Sequence, residues 1–153
     1  MVGVIREDLS RNFGFLVNDV ARLMRTVYDR RVKSLGLTRS QWWVLNHLFR
    51  NPGATQSELA TILEIEKPTL GRLLDRLEAK GWVRREHDSR DRRAWRVHLT
   101  RAAEPAMRKL RKQAFALRRD ALAGLSAAER ERFVDTLLAV KANLSRMQRN
   151  GDE

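Results

Sequence analysis

The chain contains no cysteine. That excludes disulfides, thiolate metal sites and thiol redox sensing. Proline is scarce, with three residues, and a single tyrosine accompanies four tryptophans and five phenylalanines. No apolar run approaches the roughly 20 residues that span a bilayer, so no membrane partner is expected. The segment MVGVIREDLSRNF has no basic stretch followed by an apolar one, so no secretion signal is read there and a cytoplasmic location is expected. The histidines, His47, His87 and His98, have no i,i+4 pairing and no carboxylate at ligand spacing. Solvated or packed histidines, without metal or cofactor, are the expectation.

What the chain has is positive charge. Its 153 residues carry 31 Lys and Arg against 19 Asp and Glu, a net charge of +12. Such a balance favours polyanions, above all nucleic acid. Codon bias in a GC-rich genome would also enrich arginine, so placement decides. Arg84, Arg85, Arg90, Arg92, Arg93 and Arg96 crowd one short stretch, and Arg108, Lys109, Arg111, Lys112, Arg118 and Arg119 follow it.

The length suits one domain with a real core, or a small module embedded in an oligomerisation scaffold. Apolar positions at Leu9, Phe13, Leu16, Val20, Leu23 and Val27 step by three and four, which predicts an amphipathic helix from about Leu9 to Lys33. Thr38 with Gln41 is a capping-box signature for a second helix through Arg50, and Asn51-Pro52-Gly53 breaks it. Thr55 with Glu58 opens a short helix ending near Leu63, and Pro68 starts the next, which Gly81 stops. Trp95, Val97 and Leu99 alternate with Arg96 and His98 as a strand does. Its antiparallel mate is expected at Trp82 to Glu86, with Asp88 to Arg93 as the tip. A long helix is expected from Thr100 to about Ala123. A third capping box, Ser126 with Glu129, opens a last helix bearing Phe133, Leu137, Val140, Leu144 and Met147.

The fold class expected is therefore mainly α with a small β-hairpin wing, a winged helix-turn-helix lobe on a helical dimerisation domain. Residues 37–100 form the DNA-binding region, 101–123 a connecting helix, and 9–36 with 124–149 the dimerisation region. The 3.5-residue seam on the last helix asks for a partner helix. Packing against Phe13, Leu16 and Val20 of a second copy supplies one, with intramolecular packing as the alternative.

In the helix from Pro68 to Lys80, Leu70, Leu73, Leu74 and Leu77 mark the core face, leaving Thr69, Arg72 and Arg76 for a groove. Arginine suits guanine O6 and N7; threonine suits a thymine methyl or a phosphate. Lys67, Pro68, Thr69 and Arg72 are the base-proximal candidates, and Arg76 a phosphate contact. In the tip, Asp88 and Asp91 are placed to hold neighbouring arginines in ion pairs while one guanidinium extends. Arg90 is assigned to a narrow minor groove, Arg92 to phosphate, and Arg93 to Asp88 or to phosphate.

The pattern D-x-R-D-x-R at Asp88, Arg90, Asp91 and Arg93, followed by a hydrophobic strand and Leu99-Thr100, resembles the MarR family of winged-helix regulators. IEKPTLGRLLDRLEAKGWV, DRRAWRVHLTRAAEP and Tyr28-Asp29-Arg30-Arg31-Val32-Lys33 are most similar to the SlyA/RovA branch. The resemblance implies a homodimer that regulates transcription from pseudo-palindromic double-stranded DNA. It also implies a small phenolic or anionic effector in a crevice at Trp42, Asn46 and Arg72, with Phe13 and Trp43 as additions. Trp42 and Trp43 are equally readable as core, and Arg72 is claimed by both DNA and ligand. Gly71, inside the recognition helix, permits close backbone approach or an adjustable helix. Ser57 and Ser126 are explained by helix capping, and Asp88 and Asp91 by the wing tip, so no enzyme is expected. The competing reading is a sequence-indifferent, nucleoid-associated architectural protein.

Overall fold

The computed structural model describes residues 8–151. They form helices α1 (Phe13–Val32), α2 (Arg39–Arg50), α3 (Gln56–Leu63) and α4 (Lys67–Ala79), strands β1 (Val83–His87) and β2 (Trp95–Leu99), and helices α5 (Glu104–Ala121) and α6 (Ala127–Gly151). Short 3₁₀ turns precede α1 and α5 and follow α1. This is the mainly helical fold with a two-stranded antiparallel wing that the sequence predicts. No helix among the described residues is long and apolar enough to cross a membrane.

Local chemistry sets most element starts. Thr38 and Thr55 each accept from the backbone N–H three residues on, while the Gln41 and Glu58 side chains reach back to the cap N–H. These reciprocal bonds satisfy donors that a bare helix end leaves open. Ser126 and Glu129 do the same before α6. The first helix starts later than its apolar stripe predicts. Asn12 caps α1 by accepting from Phe15 N–H at 3.2 Å, so Leu9–Arg11 form a separate 3₁₀ turn. The long fifth helix likewise begins at Glu104, not Thr100. Pro105 has no N–H and fits only a first turn, so Arg101–Ala103 stay 3₁₀.

The hairpin is shifted by one residue from its expected start. Trp82 N–H bonds to Leu77 O at 3.0 Å, closing the end of α4, and the ladder begins at Val83 opposite Leu99. Gly81, at φ +74°, makes the left-handed turn between them.

The chain divides into two compact units, up to Leu117 and from Arg118 onward. The first unit holds the core. Leu70, Leu74 and Leu77 of α4 meet Leu45 and Leu48 of α2, Leu59 of α3, Val83 and Val97 of the wing, and Leu110 of α5, nearly all fully buried. The C-terminal half of α1 joins it through Met24, Val27, Tyr28 and Val32. Tyr28 donates its hydroxyl proton to Leu110 O at 3.0 Å. The N-terminal half of α1 does not: Phe13, Leu16, Val20 and Leu23 are exposed. In the second unit, α6 buries no residue, although Phe133, Val134, Leu137, Leu138, Leu144 and Met147 are all large, apolar and exposed.

Candidate nucleic-acid interface

Helix α4 follows α3 through Glu64, Ile65 and Glu66. Glu64 takes the left-handed conformation at φ +54° while its N–H and that of Ile65 bond back to Thr61 and Ala60 carbonyls. The turn is tight enough to hold two short helices on one core. The core side of α4 is leucine, fully buried at Leu70, Leu74 and Leu77 and half-buried at Leu73. Lys67, Pro68, Thr69, Arg72 and Arg76 are exposed on its remaining surface. Arg72 leans back along the helix, its guanidinium 3.4 Å from Thr69 Oγ1.

Gly71 lies within this helix, and a methyl group added there would meet nothing within 4 Å. No intramolecular contact therefore requires glycine. Gly71→Ala is expected to raise stability by up to about 1 kcal/mol through the helix backbone alone, read as a higher Tm. Loss of DNA binding in that more stable protein would locate the DNA backbone against Gly71; a lower Tm would contradict the open space.

The wing is anchored on both sides. On the face toward α4, Arg85 pairs with Asp75 at 2.5 Å and Glu78 at 2.6 Å. On the opposite face, Arg96 bonds to Asp88 through Nε and to Gly53 O through Nη1 at 2.7 Å. One side chain thus ties the wing tip to the α2–α3 turn, and Thr55 opposite Arg96 adds an isolated bridge.

The tip owes its shape to its two aspartates. Asp88, only 7% exposed, accepts from the N–H groups of Arg90 at 2.8 Å and Asp91 at 3.0 Å. Asp91 accepts from Arg93 N–H at 3.0 Å and pairs with its guanidinium at 3.2 Å. The sequence offers Arg93 either Asp88 or phosphate; in the structure it holds Asp91, because Arg96 occupies Asp88 from across the hairpin. Among the described residues Arg90 and Arg92 make no ion pair, and both are exposed. Two acids thus consume two arginines and leave two pointing outward.

Asp88 is held below the usual carboxylate range by the Arg90 and Asp91 N–H groups and then by Arg96. Since its folded-state pKa is depressed, the tip interactions are fully present above the ordinary aspartate value and are lost as pH falls through the depressed one. The Arg90 and Asp91 amide shifts should therefore hold their wing positions through the ordinary aspartate range and move only in stronger acid. Asp88→Asn should abolish that step; a transition centred on the ordinary value would show that the cage does not act on the ionised form.

Of the expected effector residues, Trp42, Trp43 and Asn46 cluster around Tyr28. Trp42 is buried, its ring edge-on to Tyr28 at 4.6 Å and its indole N–H donated to Asp29 at 2.9 Å. It is a core residue. Trp43, half-buried, stacks edge-on with Trp42 and His47 and has the Arg25 guanidinium 5.9 Å from its ring. Asn46 donates to Tyr28 Oη at 3.2 Å, while its Oδ1 is buried without a hydrogen-bond partner among the described residues. Phe13 lies about 15 residues, roughly 22 Å of helix rise, from Tyr28 and so is remote from this group within one chain. A cleft of about 570 Å³ does open elsewhere, beside the α2–α3 turn, with Gly53, Glu58, Thr61, Ile62 and Arg96 in its wall. Trp42, Asn46 and Arg72 do not line it.

Arg96 is the structural residue that sequence reasoning passed over. It reads as the polar half of a strand alternation, and its partner stands eight residues away across the hairpin. Only the register, which sets Glu86 opposite Arg96 and thereby Asp88 two residues beyond, could have revealed the pair.

Comparison with known proteins agrees with this architecture. Residues 35–94 match the sequence model of the MarR family. The crystal structure of transcriptional regulator PA3341 is 40% identical, covers 88% of this chain and 99% of its own, and superposes with a TM-score of 0.78. A MarR-family transcriptional regulator from Silicibacter pomeroyi is 30% identical over 85% of this chain and 88% of that one, at a TM-score of 0.74. The transcriptional regulator SlyA is 25% identical over 88% and 95%, at 0.73. With a helix-turn-helix, a braced wing and relatives that match almost from end to end, the chain belongs to the MarR family of transcriptional regulators.

Proposed function

We propose that the protein binds double-stranded DNA sequence-specifically, as a homodimer on a pseudo-palindromic operator. One observation carries this reading. The exposed surface of α4, with Thr69, Arg72 and Arg76, stands beside a wing whose tip is fixed by Asp88 and Asp91 and whose Arg90 and Arg92 are unpaired among the described residues. A helix for the major groove and a preformed cationic loop for the neighbouring minor groove answer two features of one DNA duplex. Lys67, Pro68, Thr69 and Arg72 are the base-proximal group, Arg76 and Arg92 contact phosphate, and Arg90 enters the minor groove.

The homodimer is supported by the two exposed apolar stripes. Phe13, Leu16 and Val20 on α1, and Phe133, Leu137 and Leu144 on α6 with half-buried Val140, leave more apolar side chain in water than a monomer keeps. We assign residues 9–36 and 124–149 to dimerisation, 37–100 to DNA binding and 101–123 to their connection. Membership of the SlyA/RovA branch is part of the same proposal and rests on the recognition-helix and wing segments. A small phenolic or anionic effector is retained at Asn46 and Trp43; the unpartnered Asn46 Oδ1 is an acceptor and so favours the hydroxyl donor of a phenol. Arg72 is assigned to DNA, since its guanidinium lies along the exposed helix surface.

The test is fluorescence anisotropy with a fragment from upstream of the protein's own gene, competed with random DNA at physiological salt. Specific binding should survive with a ratio of roughly 10³ or more over random DNA. Equal competition by random DNA across a panel of genomic fragments would establish the architectural reading instead.

A further inference from the structure

The hairpin has two faces, and they do different things at their far end. Val83, Arg85 and His87 of β1 stand opposite Leu99, Val97 and Trp95 of β2 on the face turned to α4. Val83 and Val97 are buried there, and Arg85 is locked to Asp75 and Glu78 of α4. The last pair before the tip, His87 with Trp95, runs past this packing. Trp95 is 41% exposed, the most exposed of the four tryptophans. Its ring lies on the His87 imidazole at 3.8 Å between centroids and 33° between planes. His87 is itself fixed by its Nδ1 at 2.7 Å from Arg92 O. The indole is therefore supported from one side and borders a cleft of about 410 Å³ with Gln56, Glu78 and Arg85.

This is an aromatic platform built into the wing without a protomer core to fill. It stands between Glu78, in the last turn of α4, and the tip bearing Arg90. Resting on the DNA-binding reading above, we propose that Trp95 is a further DNA-contacting residue, its indole packing on a deoxyribose of the strand between the groove filled by α4 and the groove reached by Arg90. The charge of the cleft selects the sugar over the phosphate. Arg85 is already held by two carboxylates, Glu78 in the cleft wall and Asp75 beyond it, so it offers a phosphate no free cation. The C–H surface of a deoxyribose needs none and packs on the apolar ring. Gln56 adds a neutral amide at the same cleft.

An apolar contact leaves a mark that a cationic contact does not. Trp95→Ala should weaken operator binding about ten-fold, the scale for truncating an aromatic anchor, and leave the slope of log affinity against log salt unchanged, because no counterion is released. Trp95→Phe should retain most of the affinity. Both variants are measured by anisotropy, with the Tm of each to register any loss of fold. Independently, acrylamide quenching of the wild-type protein minus that of Trp95→Phe isolates the Trp95 signal, which operator DNA should protect. Wild-type binding with an unaltered Trp95→Ala affinity, or with Trp95 as quenchable as before, overturns the proposal and spares the DNA reading. A wild-type protein that binds no DNA overturns both.

Discussion

Leu137→Glu is expected to convert the dimer to monomers and to weaken operator binding by about 10² to 10⁴-fold, the range over which two linked binding events exceed one. Leu137 is 42% exposed on a helix that buries nothing in its own chain, and Phe133, one turn before it, is equally open. A carboxylate in the middle of that apolar stripe would have to be desolvated in the dimer. In the monomer it simply faces water. The substitution therefore acts on association and spares the first unit, whose core does not include α6. Sedimentation velocity gives the oligomeric state, and anisotropy on full and half operators gives the affinity. A dimer of undiminished stability would move the interface away from this stripe. A monomer that still binds the full operator tightly would show that one reading head suffices.

Arg90→Ala carries the second large effect. Operator affinity should fall by roughly 1–3 kcal/mol for each reading head, and the salt slope of the dimer should shrink by about 2 as one cationic contact is lost from each head. The fold should not change, because the backbone of the tip is held by Asp88, Asp91 and Arg96, none of which uses the Arg90 side chain. Preorganisation explains why one exposed arginine counts for so much: the loop it sits on is already ordered, so binding orders little beyond the side chain itself. Anisotropy titrations between about 50 and 200 mM salt measure both quantities. Identical curves for wild type and variant would pass the minor-groove role to Arg92.

The two tests separate what each unit does. Leu137→Glu leaves the reading head whole and removes its second copy, so half-operator binding should persist. Arg90→Ala leaves the dimer whole and weakens both heads. A protein in which both variants retained full operator affinity would be binding through charge spread over the surface, as an architectural protein does.

Much of this was legible in the chain because the responsible interactions are local. Capping boxes at Thr38, Thr55 and Ser126 join residues three apart, and they formed at those positions. The leucine spacing of α4 identified its core face for the same reason, since a 3.6-residue period and a flat core leave one choice. Positive charge concentrated in the hairpin, the D-x-R-D-x-R pattern and the apolar stripes of α1 and α6 could also be read from neighbours along the chain, whereas the exposure of those stripes could not. Tertiary structure alone decided which partner each group found. Arg93 took Asp91 because Arg96 reached Asp88 across the hairpin, and Trp82 gave its N–H to the end of α4 and kept only its carbonyl for the hairpin, accepting from Thr100. Trp42 entered the core because Tyr28 and Asp29, on another helix, offered it a ring and an acceptor. Trp95 stayed outside because the wing runs past its last buried pair. Sequence periodicity states that a residue has an inner or an outer side; contacts between distant segments, each competing for the same few partners, determine what stands there.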